Sequence, residues 1–180
     1  MEEIQRTIIG ETAIQERVQI LGKQISDHYT NTDPLILIGI LKGALYFLAD
    51  LSRSLTIPVE IELMSISSYG AETESSGVVS ILTDLARDIK DRDVLVVEDI
   101  IDSGLTMSVL LGNLEARNPA SLKVCTLLDK ASRRNVQIPI AYCGFEIADE
   151  FVVGYGLDFN QRFRNLPYIG TLNSSVIPSQ

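Results

Sequence analysis

Val94-Leu95-Val96-Val97-Glu98-Asp99-Ile100-Ile101-Asp102-Ser103-Gly104-Leu105-Thr106-Met107 decides how the chain is read. Four apolar residues lead into two adjacent acids. A third acid follows three residues later, and a Ser-Gly-Leu-Thr turn opens a helical pattern. Short β-branched runs of this kind read as buried parallel strands. Open α/β sheets bind ligands at the carboxyl ends of such strands. Ser103, Gly104 and Thr106 offer two hydroxyls and backbone N–H groups at a helix N-terminus, which attracts anions. Glu98 and Asp99 repel each other and need an external partner. Acceptors for sugar hydroxyls or a metal therefore stand beside donors for a phosphate, a combination that suits a sugar phosphate. The competing reading of the same residues is an ordinary strand–turn–helix with a solvated acidic loop.

Outward from this stretch, strands alternate with helices. Thr12-Ala13-Ile14-Gln15 reads as a capping box, and Ile14, Val18, Leu21 and Ile25 continue at helical spacing to about His28. Residues 35–40 form an apolar strand, and Lys42-Gly43 leads into a helix carrying Leu45, Phe47, Leu48 and Leu51. Val59, Ile61 and Leu63 alternate with Glu60 and Glu62, so that strand is expected to have one wetter face. Residues 67–77, including Ser68 and Tyr69, are small and polar and predict a mobile loop. A strand resumes at 78–82. Met107, Leu110, Leu111 and Leu114 give the helix after the acidic stretch a buried stripe that ends near Asn118-Pro119. Further strands are expected at 123–128, 142–147 and 151–155. The alternation predicts an α/β, doubly wound, mainly parallel sheet. The C-terminal segment is expected to form a small hood over it, all within one domain spanning 1–180.

With 180 residues the chain can bury one sizeable core. No apolar run approaches membrane-span length, and Met1-Glu2-Glu3 lacks the basic start of a signal peptide. A cytoplasmic protein without a membrane partner is expected. The formal net charge of −9 argues against a general nucleic-acid binder. Cys125 and Cys143 lack metal-ligand spacing and read as free, buried thiols. His28, the one histidine, stands near a helix end and leaves little room for a His-based zinc site.

Three other segments can carry chemistry. Lys42-Gly43 suits a pyrophosphate loop, with glycine allowing close backbone approach and lysine adding charge. Lys130 ends a strand and can donate to a ligand oxygen, whereas Arg133 and Arg134 read as exposed charges. Phe151 can stack on a flat heterocycle, backbone near Val152 can read its edge, Asp158 is an oxygen ligand suited to Mg²⁺, and Arg164 suits a phosphate. Taken singly, each also has a bland reading as core or surface.

The acidic stretch resembles the phosphoribosyl-diphosphate (PRPP) motif of type I phosphoribosyltransferases. Lys42-Gly43, that motif, Asp129-Lys130 and Phe-Val-Val-Gly-Tyr-Gly-Leu-Asp (residues 151–158) occur in the order seen in hypoxanthine-guanine phosphoribosyltransferases. The resemblance runs from the first helix to Tyr168-Ile169-Gly170. Leu105 stands where some members carry lysine, and 78–83 lacks the acid and lysines common in bacterial relatives.

The resemblance implies transfer of ribose 5-phosphate from PRPP to a 6-oxopurine, with Mg²⁺ as cofactor. It places Glu98, Asp99, Asp102, Ser103, Gly104, Leu105 and Thr106 on PRPP, with Asp102 as general base. It places Lys42, Gly43 and Arg164 on pyrophosphate. Lys130, Phe151, Val152 and Asp158 would meet the purine, and Glu98, Asp99 and Asp158 the metal. The loop with Ser68 and Tyr69 would close over the site. A homodimer or homotetramer is implied. A xanthine-preferring transferase and an RNA-binding attenuator-type regulator on the same fold are the alternatives.

Overall fold

The computed structural model of the chain describes residues 3–68 and 79–173. In chain order the elements are β1 (Ile4–Ile9), α1 (Glu11–His28), β2 (Leu35–Leu41), α2 (Leu45–Ser54), β3 (Val59–Ser68) and β4 (Val79–Thr83). They continue with β5 (Asp93–Ile101), α3 (Leu105–Glu115), β6 (Ser121–Asp129), β7 (Ile140–Glu146), β8 (Val152–Val153) and β9 (Ile169–Leu172). Six strands form one sheet in the order β4-β3-β2-β5-β6-β7. It is parallel from β3 to β7, with β4 antiparallel at one edge.

Alternation along the strands divides the core in two. Leu35, Leu37, Leu95, Val97, Cys125 and Leu127 face α1 and α2. Ile36, Ile38, Ile40, Val94, Val96 and Val124 face α3. Both faces are thus covered, which is why the strands read as continuous apolar runs. α1 buries Ile14, Val18, Leu21 and Ile25, and α3 buries Met107, Leu110, Leu111 and Leu114, the stripes that the spacing predicted.

Chain order reverses between β2 and β5, since β2 pairs with β3 on one side and β5 on the other. Such a switch point leaves a crevice at the strands' carboxyl ends, where the connecting segments diverge. The Lys42-Gly43 turn follows β2 and the Asp102-to-Thr106 turn follows β5, so both open into that crevice.

Several expectations are corrected. The hood is an antiparallel sheet, β1-β9-β8, to which the N-terminus contributes a strand. β1 shows no clean alternation, because only Ile9 of its six residues is buried. β8 has only two residues, because Gly154, Tyr155 and Gly156 turn the backbone at positive φ. α1 begins at Glu11 after Gly10, and no side chain caps it, so the capping box does not form. β3 runs to Ser68, where Ser67 and Ser68 pair with Ser80 and Val79. Tyr69 and the rest of the predicted loop through 77 lie outside the described residues. The wetter face of β3 is also reversed. Ile61 and Leu63 are 50% and 40% exposed, while Glu60 pairs with Arg87 and Arg92, and Glu62 accepts the Ala86 N–H at 3.0 Å. Cys125 is buried but Cys143 only half so. His28 is the last residue of α1, with Nε2 2.7 Å from Lys123 Nζ. Among the described residues no helix is long and apolar enough to cross a membrane.

Met64 is fully buried on the α3 side of β3. Met64→Ala is expected to cost about 2–5 kcal/mol of unfolding free energy, whereas Ile61→Thr on the opposite face is expected to change it by under about 1 kcal/mol. Urea titrations of both variants check the orientation, and similar losses would contradict it.

Candidate active site

β5 extends past the apolar run through Glu98 and Asp99 to Ile101, so the adjacent acids are strand residues rather than loop residues. β5 is flanked on both sides, and Glu98 is held in the ladder opposite Thr126 of β6. Glu98 is buried and Asp99 partly buried. Desolvation, then the charge of Asp99, pushes the Glu98 carboxyl well above its ordinary range. Desolvation also raises Asp99, partly offset by hydrogen bonds and by the more distant Arg164 charge. Among the described residues no lysine or arginine lies within salt-bridge distance of either. The two carboxyl groups instead hydrogen-bond each other.

After β5 the chain turns through Asp102 and Ser103 to Gly104, which adopts a left-handed backbone (φ 84°). α3 then starts at Leu105, and no side chain caps it. The Leu105 N–H lies 3.4 Å from Ser103 Oγ, a weak contact. The N-terminus of an eleven-residue helix therefore faces the crevice with its first amides open to an anion. Across the crevice, Gly43 lies so close that a Cβ there would sit 1.8 Å from Asp99 Oδ2. The Leu41–Lys42 peptide bond beside it is cis.

These groups line a cavity of about 250 Å³ containing Gly43, Glu98, Asp99, Asp102, Ser103, Gly104 and Thr106. A second cavity of about 490 Å³ is lined by Asp99, Asp102, Lys130, Phe151, Val152 and Asp158, with Arg133, Asp149 and Leu157. The two share Asp99, Ile100 and Asp102. Asp102 thus stands where a ligand in one cavity would touch a ligand in the other.

Within the second cavity Lys130 is only 6% exposed, yet among the described residues the carboxylate paired with its ammonium is that of Asp149, at 3.9 Å. Arg133 bridges Asp102 (3.2 Å) and Asp149 (3.3 Å). Asp102 Oδ1 is nonetheless buried without a well-formed hydrogen bond. Phe151 is 45% exposed and meets Phe159 edge-on at 5.7 Å, leaving ring surface open to stacking.

The remaining predicted residues border the cavities. Leu105 contributes as the first residue of α3. Lys42 is exposed, 3.3 Å from Gln161 Oε1. Arg164 pairs with Asp158 at 2.6 Å and donates to the Gly156 carbonyl at 2.6 Å, while its Nε is buried without a partner. Both Asp158 oxygens are engaged, one by Arg164 and the other by the Gln161 N–H at 2.8 Å. Ser68 ends β3, and Tyr69 lies outside the described residues.

Arg134 is not an exposed charge: its side chain is 7% exposed. It pairs with Asp129 and donates from Nε to the Asp102 carbonyl at 3.0 Å, tying β6 to the turn after β5. Arg133 and Asp149 were missed as cavity residues. Arg133 is near Lys130 through the short turn after β6, where its N–H donates to the Lys130 carbonyl at 3.0 Å, whereas Asp149 comes near through the pairing of β6 with β7, although the Asp149-Glu150 acids next to Phe151 were a visible signal.

The donor set can be tested against a cation. Glu98 and Asp99 are hard oxygen donors lacking a cationic partner, which suits Mg²⁺. No group of three or more His, Cys, Asp or Glu among the described residues could hold an ion by itself. Any ion here would take its other ligands from water and substrate, as Mg²⁺ commonly does.

A doubly covered, mainly parallel sheet, with acids and an open helix N-terminus at its switch point, is an α/β architecture suited to binding a phosphorylated ligand. Residues 9–160 match the family model described as a phosphoribosyl transferase domain. The hypoxanthine-guanine phosphoribosyltransferase of Mycobacterium avium is 51% identical over 179 residues, covering 97% of this chain and 88% of that one. The Bacillus subtilis protein of the same name is 48% identical, covering 98% of each. A hypoxanthine phosphoribosyltransferase crystal structure from Staphylococcus aureus superimposes with a TM-score of 0.94 at 42% identity, covering 98% of this chain and 96% of that one. The chain belongs to the phosphoribosyltransferase family, in its hypoxanthine-guanine branch.

Burial of Glu98 has a measurable consequence. Its raised pKa means that the folded chain keeps a proton that the unfolded chain loses above the ordinary value of 4.5. The stability from this group is full below that value and is lost as pH rises through the folded pKa. Glu98→Gln is expected to melt higher than the parent chain near neutral pH, with the difference shrinking as pH falls toward about 4. A melting difference independent of pH would contradict this assignment.

Proposed function

We propose that the chain is a purine salvage enzyme that transfers ribose 5-phosphate from PRPP to hypoxanthine or guanine, yielding IMP or GMP and pyrophosphate. The observation that carries the reading is the meeting of the two cavities at Asp102. One offers carboxylates and helix amides for a sugar phosphate. The other offers a nearly buried lysine and an open aromatic ring for a flat base.

The ribosyl carbon develops cationic character as pyrophosphate leaves. In the first cavity the α3 amides with Ser103 and Thr106 hold the 5′-phosphate, and Glu98 and Asp99 hold the ribose hydroxyls. The charge of Lys42, the Gly43 backbone and Arg164 face the leaving group. Glu98 and Asp99 would hold Mg²⁺, with Asp158 joining directly or through water once it releases Arg164. When bound, the ion neutralises the pyrophosphate.

In the second cavity Lys130 donates to the purine 6-oxo group, exchanging its distant Asp149 for a direct hydrogen bond. Phe151 stacks, and Val152 reads the ring edge through its backbone. Asp102 removes the proton from the purine N7, a step of the kind that typically contributes about 10²–10⁴-fold. Lys130 favours a 6-oxo base over adenine. The relatives' names, hypoxanthine and hypoxanthine-guanine phosphoribosyltransferases, support this reading over a xanthine-preferring transferase or an RNA-binding regulator.

The proposal extends to a single domain in a cytoplasmic homodimer or homotetramer. Ile61, Leu63 and Leu82 leave apolar surface on the β3–β4 edge for a second copy. Light scattering that returned the mass of one chain, 19.8 kDa, would remove the oligomer.

A base panel with PRPP and Mg²⁺, followed by pyrophosphate release, tests the activity. Turnover with hypoxanthine or guanine is expected, and release with xanthine alone would overturn the preference. Asp102→Asn is expected to lower kcat by about 10²-fold or more with little change in PRPP affinity. Unchanged turnover would remove Asp102 as the base.

A further inference from the structure

The pyrophosphate side of the proposed site is built from two segments that share no strand ladder. Leu41 to Ala44 connects β2 to α2 in the large sheet, whereas Asp158 and Arg164 stand on the loop that follows β8 of the hood. Something must set the distance between them. Two observations identify what does.

The first is a backbone contact. A Cβ on Gly156 would lie 1.9 Å from the Gly43 carbonyl oxygen, so the loops touch main chain to main chain. The second is a side-chain strut one residue earlier. Tyr155 is buried at φ 48° and donates its hydroxyl to Asp50 Oδ2 at 2.6 Å. Asp50 stands on α2, the helix that begins directly after the Gly43 turn. The Tyr155 N–H donates to the Leu166 carbonyl at 2.8 Å, and the Gly156 N–H to that of Arg164 at 2.9 Å. The hydrogen bond that Tyr155 donates to α2 is thereby linked, through the loop backbone, to Arg164 and its partner Asp158. Two further side-chain contacts join these parts: the tilted ring pair Tyr46–Tyr155 at 6.2 Å, which makes no hydrogen bond, and the exposed Lys42–Gln161 contact at 3.3 Å.

We infer that Asp50 and Tyr155 are positioning residues that set the gap between the Gly43 turn and the Asp158–Arg164 loop, and so the grip on the diphosphate of PRPP. The inference rests on the proposed phosphoribosyl transfer. Neither side chain enters the two cavities. The purine is held mainly by Lys130, Phe151 and Val152, which precede the Gly154 turn, and β9 pins Val152 through its ladder. Loss of the strut therefore falls on PRPP more than on the base. Misplacing a binding group by a fraction of an ångström is costly where reacting atoms must align.

Tyr155→Phe keeps the ring and removes the hydroxyl. It is expected to raise the KM for PRPP about fivefold to tenfold, with the hypoxanthine KM within about twofold. Asp50→Asn retains an acceptor oxygen and is expected to lose less than Asp50→Ala. The Tyr155→Phe/Asp50→Ala double variant is expected to be no worse than the poorer single one. Asp50 is 44% exposed, so its variants report even if Tyr155→Phe folds poorly. An unchanged PRPP KM, equal rises for both substrates, or additive losses in the double variant would overturn the inference. Calorimetry of the parent chain with Mg²⁺-PRPP separates the two levels. Failure of the parent to bind sinks the phosphoribosyl reading, whereas normal binding by parent and variants alike sinks only the strut.

Discussion

Glu98 and Asp99 lie side by side, withdrawn from water, at the end of a strand that is flanked on both sides. Two desolvated carboxylates are unfavourable, and a chain left free would turn at least one of them outward. Here the ladder to β6 fixes Glu98 opposite Thr126 and leaves little choice. The apolar stretch from Val94 to Val97, buried between the two halves of the core, anchors that ladder. Hydrophobic burial along β5 thus offsets the electrostatic cost at its end. The cost is what makes the site receptive, because a ligand that brings cations or hydroxyl donors relieves it.

Much of the surrounding geometry follows. The Gly43 turn approaches Asp99 closely enough that a side chain could not fit. The turn at Gly104 swings α3 round so that its amides face the same crevice. Hydrogen-bond donors and carboxylate acceptors then meet at the sheet's switch point, where the connections after β2 and β5 diverge. The hood adds the second half. Its short strands carry Phe151 and Val152 to the far side of Asp102, opposite Lys130 at the end of β6. Arg133 and Asp149 link Asp102 to Lys130 in a chain of alternating charges. Ligand binding would redistribute these pairings rather than fill an inert hole.

The legible parts of the chain were those governed by local rules. The stripes of α1 and α3 repeat at helical spacing because each helix packs one face on the sheet. The motif from Glu98 to Thr106 was readable because strand, turn and helix start are contiguous. The failures share another cause. β1 and β9 exist because they pair with each other across nearly the whole chain, and neither has a pattern that demands it. The glutamates of β3 turned inward because Arg87 and Arg92, far along the chain, supply their counter-charges. Arg134 looked like a surface residue next to Arg133, yet the carbonyl of Asp102 and the carboxylate of Asp129 make a buried socket for it.

The sequence by itself determined the chemistry on offer: which strand ends carry acids, which turns carry glycine and lysine, and that the sheet is mainly parallel and covered on both faces. Those properties depend on residue type and short-range spacing, and folding does not change them. Only the tertiary structure decided which groups share a cavity, which charges are paired and how far apart the two phosphate-facing loops stand. Such matters depend on contacts between residues more than a hundred positions apart, such as Tyr155 with Asp50. No local pattern encodes those contacts, because they form only when the packing of the two sheets brings the partners together.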